Sequence, residues 1–193
     1  MPIIQTSCTR PIHLFYTDTI MTEINCIQTF HQLLNNRIRQ FTISEVTLQQ
    51  ALTGWIKTAS SVALKNTLQR YFDHVKSHVQ KLELFFEEES LQYVSLRSRV
   101  MEALVEDVNE TLTNCTDASI RDAALIAGVQ NINHMKIAVY GTAAAFANTL
   151  AKPKTAYLFH EFEVNEKQID DRLSQLAEHE INKKALLALS LER

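Results

Sequence analysis

Helix breakers are almost absent from this chain: three Gly and three Pro stand among 193 residues. A backbone so short of turn-forming residues spends its length in long regular elements. The Ala, Leu, Gln, Glu and Lys distributed throughout make those elements helices. Pro2 and Pro11 precede the first periodic segment, and Pro153 follows Lys152 in a turn, so the prolines interrupt nothing. No stretch alternates apolar and polar residues as a half-buried strand does, and no tandem repeat or linker divides the chain. The expectation is an all-α protein, one domain over residues 13–193 behind an irregular arm at 1–12.

Apolar residues recur at helical spacing in five places. Tyr16, Ile20, Ile27, Phe30 and Leu34 form a first stripe, in which Glu23 is the one carboxylate. Residues 40–44 are the first turn candidate, with Ser44 as an N-cap, which makes 40–62 a long connection with renewed helical pattern at Leu48, Leu52 and Trp55. Leu64, Leu68, Phe72, Val75, Val79, Leu82 and Phe86 make the second stripe. Val100, Leu104, Val108 and Leu112 make a shorter amphipathic helix. A long central helix follows from about Thr116, its expected cap, to Leu150. The last long helix spans about Thr155–Ala177, with a helical tail after Glu180. Four long antiparallel helices in this length predict a four-helix bundle with additional short helices.

Bundle cores hold metal and cofactor ligands, so inward polar residues decide what chemistry such a chain can do. The candidates are Glu23 on the first helix, His74 and His78 one turn apart on the second with Tyr71 a turn back, Asn133, His134 and Lys136 on the central helix, and His160, Glu161 and Asn165 on the last. Glu23, His74, His78 and Glu161 form the candidate metal-binding set; Asn133, His134 and Lys136 form a polar core. Each has a plainer reading. The His pair fits a solvated helix flank, His134 fits a core histidine bonded to a carbonyl, and Lys136 fits a lysine reaching solvent along its stem. The alternative for Lys136 is an ammonium directed at Glu23 and Glu161, supplying the positive charge a metal would otherwise bring. A di-iron or di-manganese carboxylate site takes Glu-x-x-His from two helices, and neither copy of that motif is present at these positions.

The totals exclude some classes. A net charge of -3 argues against nucleic acid or an anionic membrane surface as the main partner. No apolar run approaches the ~20 residues that cross a bilayer. Cys8, Cys26 and Cys115 show no metal-binding or disulfide spacing, which fits reduced thiols in a cytoplasmic protein.

The run RDAALIAGVQNINHMKIAVYGTAAAFANTL, from Arg121 to Leu150, resembles the most recognisable segment of the YciE/YciF group. These are bacterial ferritin-like proteins of unknown biochemical function, several of them associated with stress responses. The likeness extends to VMEALVEDVNE at 100–110 and EKQIDDRLSQLA at 166–177. It implies a ferritin-like four-helix bundle that forms a homodimer. The departures bear on function: the group carries Glu-His-Tyr-Glu where this chain has Asn133, His134, Met135 and Lys136. The resemblance therefore implies a degenerate di-metal site, no bound cofactor, and a structural or partner-binding role rather than an enzyme. The alternative is an oxidase or peroxide-handling protein using iron or manganese at an atypical site.

Overall fold

The computed structural model describes residues 27–89 and 98–188. Its elements are α1 (Phe30–Thr58), α2 (Val62–Glu88), α3 (Arg99–Asn114), α4 (Ala118–Thr149), α5 (Pro153–Leu176), a π-helical turn (Ala177–Ile181) and α6 (Asn182–Ala188). Two helical hairpins, α1–α2 and α4–α5, pack together to give the order α1, α2, α5, α4 around one core; α3 lies across α1 and α4, and α6 folds back on α4. The protein is an all-α ferritin-like bundle.

The expected turn at 40–44 does not exist: α1 runs through it, so the supposed 40–62 connection is most of the first bundle helix. Ser44 is no N-cap. The hydroxyls of Thr42, Ser44 and Thr47 bond back to the carbonyls of Ile38, Gln40 and Ile43, satisfying their donors inside the helix. The buried stripe Leu34, Ile38, Phe41, Glu45, Leu48, Leu52, Trp55 crosses the segment without a slip. A capping box starts α1, with Thr29 Oγ1 accepting from Gln32 N and Gln32 Oε1 accepting from Thr29 N. Residues 1–26, with the expected arm, the first predicted helical turns and Glu23, lie outside the described residues.

α1 ends at a corner that α4 holds. Asp122 is buried, and its carboxylate accepts from Ser60 N at 2.8 Å, Ser60 Oγ at 2.7 Å and Ser61 N at 2.7 Å. Three donors offset the desolvation of that charge, and Ser61 caps α2 through Leu64 N. The neighbouring Arg121 donates to the carbonyl of Cys115 at 2.9 Å, fastening the end of α3. The Arg-Asp pair that opens the recognisable segment is thus a clamp on two corners. Asp117, one residue after the expected Thr116, caps α4 by accepting from Ser119 N and Ile120 N. Gly128 lets α3 approach: a Cβ there would sit 2.4 Å from Val108 Cγ2. α4 stops at Ala151, whose φ of 54° is left-handed. Its N–H bonds to Asn148 O and that of Lys152 to Ala147 O, a Schellman closure.

Candidate functional site

Each long helix places polar side chains at the same level of the core: Glu45 from α1, Tyr71 and His78 from α2, Asn133, Lys136 and Tyr140 from α4, and Glu166 from α5. All are buried. Leu48, Val75, Val129 and Ile169 belong to the aliphatic core on one side of this layer, and Phe41, Phe159 and Phe162 to the aromatic core on the other. The layer therefore sits in a low-dielectric environment where charges interact strongly.

Lys136 is its centre. The side chain is 2% exposed, and Nζ lies 2.9 Å from Glu45 Oε1, 3.1 Å from Glu45 Oε2 and 2.6 Å from Glu166 Oε1. The ammonium also stands over the rings of Tyr71, at 4.9 Å, and Tyr140, at 5.8 Å. The tyrosines supply further donors: Tyr140 to Glu45 Oε1, and Tyr71 to Glu166 Oε2 at 2.7 Å. Asn133 Nδ2 donates to the same Glu166 oxygen at 2.7 Å and to the Glu166 carbonyl at 3.1 Å. His78 stacks on Phe162 with 4.1 Å between centroids. Its Nε2 takes the Asn165 amide at 3.2 Å, and its Nδ1 faces both carboxylates, 3.5 Å from Glu45 and 3.7 Å from Glu166.

The electrostatics follow from that arrangement. Burial pushes the Glu45 carboxyl up, but Lys136, His78 and Tyr140 outweigh it and hold the group at about 2. Glu166 goes the other way: burial and the nearby Glu45 charge raise it against the pull of Lys136. Burial alone would discharge Lys136, yet Glu166 and Glu45 together raise it above 10.5. Tyr71 and Tyr140 are both raised by burial and by the two carboxylates. The layer is a proton-retaining network with one ammonium between two acids.

Sequence reasoning located part of this. Tyr71, His78, Asn133 and Lys136 belong to the layer, Asn165 touches it through His78, and the His160 side chain is 64% exposed. His134 lies outside the layer: its side chain is 63% exposed and pairs with Asp170 at 2.9 Å, because its position on α4 turns it outward. His74, a turn from His78, is half-buried, its imidazole lowered by burial and by His78 and Arg70. Glu161 is 36% exposed and pairs with Lys81 across α2 and α5, so it does not meet Lys136. The acids that do, Glu45 and Glu166, were not among the candidate site residues. Glu166 fills the gap between Phe162 and Ile169 in the α5 stripe, a spacing visible in the sequence.

A di-metal centre needs carboxylate oxygens with free lone pairs converging on open space. Here the space between the acids is filled by Lys136 Nζ; Glu45 already accepts from Lys136 and Tyr140, and Glu166 accepts from Tyr71 and Asn133 at one oxygen and pairs with the ammonium at the other. These residues do not fit a carboxylate-bridged metal pair.

Fold and site together define a ferritin-like helical bundle whose core is bridged by a buried lysine. Residues 29–186 match the family described as a domain of unknown function, DUF892. The chain belongs to this family, that of the YciE and YciF proteins. Protein YciF of Escherichia coli (strain K12) is 33% identical over 143 residues, covering 74% of this chain and 86% of YciF. The crystal structure of the E. coli stress protein YciF matches with a TM-score of 0.76 at 30% identity, over 81% of this chain and 99% of that one. The YcfI structure from Rhodopseudomonas palustris shares the fold, with a TM-score of 0.75 at 24% identity over 78% of this chain and 96% of its own.

Proposed function

We propose that this protein works as a structural or partner-binding module and not as a metal-dependent oxidase. In this reading the Lys136 ammonium does permanently what a bound cation would do conditionally: it holds four helices in register by neutralising acids from α1 and α5. The observation that carries the reading is the 2.9 and 2.6 Å separation of Lys136 Nζ from Glu45 and Glu166 in a fully buried layer. A metal would have to displace a covalently tethered cation that both carboxylates already engage, leaving that charge buried without a counterion. The likeness to a protein described as a stress protein extends the proposal to a stress-linked setting, and the family resemblance extends it to a homodimer.

The test is metal analysis of the full chain after ferrous or manganous loading and removal of free metal. The reading predicts no stoichiometric metal and no peroxide-dependent absorbance change. A tightly held pair of ions per chain would overturn it. Light scattering on the same sample checks the dimer.

A further inference from the structure

Two cavities of about 250 and 230 Å³ lie between α1 and α4 and share Arg37, Phe41 and Val139, so they form one groove. Its length follows from α4: from Met135 to Phe146 the lining runs about 16 Å at ~1.5 Å of rise per residue. The groove exists because α4 presents Ala138 and Ala143 to it, side chains too short to fill the space beside Phe41. One arm is apolar, walled by Leu33, Ala143 and Phe146, and the Phe30 ring packs on Phe146 with 4.7 Å between centroids. The other arm sets Val100 and Met135 among Gln40, Ser44 and Ser98, with Glu45, Lys136 and Tyr140 beneath.

Charge marks the junction of the two arms. Lys136 is already engaged by Glu45 and Glu166. Arg37 is different: it is exposed, it lines both arms, and its guanidinium makes one hydrogen bond among the described residues, 3.4 Å to Gln40 Oε1. Most of its five donors are open. The groove thus offers an elongated apolar wall and one unbalanced cation with the geometry to grip a carboxylate.

We propose that this groove binds an elongated monocarboxylate of fatty-acid chemistry, its head on Arg37 and its alkyl chain along Phe41, Val139 and Phe146. Apolar burial supplies the attraction and Arg37 supplies the polarity of the fit. The site is separate from the reading of the Lys136 layer, and metal content has no bearing on it.

The experiment is calorimetric titration of the full chain with decanoate, decanol and decylamine. Decanoate binds saturably at one per chain, about tenfold or more tighter than decylamine. Arg37→Glu, a change at an exposed position, reverses that preference. Val139→Trp, which fills the groove, removes binding of all three, with unchanged circular dichroism confirming the fold. Absence of saturable decanoate binding overturns the proposal. So does equal binding of the three probes by the wild type and Arg37→Glu, which marks indiscriminate apolar adsorption. A third result also overturns it: Val139→Glu converts a dimer to monomer in light scattering while neither form takes decanoate, which makes the groove an interface between two copies.

Discussion

Lys136 keeps its charge in the core because two acids from opposite hairpins meet it. Its ammonium, with His78 and Tyr140, holds Glu45 low, while burial and the Glu45 charge raise Glu166 despite its tyrosine and amide donors. Removing the lysine alone leaves two carboxylates facing each other without a counterion. Lys136→Met is therefore expected to lose about 3–5 kcal/mol of stability at neutral pH in urea unfolding. Adding Glu45→Gln and Glu166→Gln to that variant should restore much of the loss. The surface pair gives the contrast: Lys81→Met, which breaks a half-exposed bridge to Glu161, should change stability by about 0.5 kcal/mol or less. Equal losses from the two lysines would deny Lys136 its special position.

At the scale of elements, the helices obey their local chemistry with one exception. Ala151 ends α4 in a left-handed conformation that favours glycine. Ala151→Gly should raise stability by about 0.5–1 kcal/mol, seen as a higher Tm, since relief of the Cβ clash exceeds the added freedom of the unfolded chain. Most helices were legible from spacing, and α2 through α5 fall within a few residues of expectation. α1 was not, because residues 40–44 read as a turn until the Thr42 and Ser44 hydroxyls are seen bonded within the helix. That misreading hid Glu45. Ile38, Phe41, Glu45, Leu48 and Leu52 form a regular stripe only if the helix is unbroken. Lys136 and Asn133 were legible as polar residues on an inward face; their partners were not, since they come from helices 91 and 33 residues away in sequence.

For the whole molecule, the layer sets how stability varies with pH. Glu45 is lowered in the fold, so it contributes stability above 4.5 that is lost as pH falls towards about 2. Glu166 is raised, so its contribution has the opposite sign, and the two partly cancel on the acid side. No such cancellation occurs in base. Lys136 is raised above 10.5 and both tyrosines well above 10.0, so all three contribute stability at lower pH that disappears as pH rises through their folded values. Chemical unfolding across pH should show a shallow acid limb and a steep loss beginning near pH 10. A flat alkaline limb would mean that the three groups are not protonated together in the core. The bundle is thus held by protons it does not release within the physiological range.

The most direct measurement is the protonation of Lys136 itself, by nitrogen-detected NMR of side-chain ammonium groups with Lys136→Met to assign the resonance. The account predicts a slowly exchanging ammonium that titrates above 10.5, shifts in Glu45→Gln and Glu166→Gln, and is unmoved by added manganese. A midpoint at or below 10.5, or loss of the signal on manganese addition, would contradict the claim that this lysine is the permanent cation of the core.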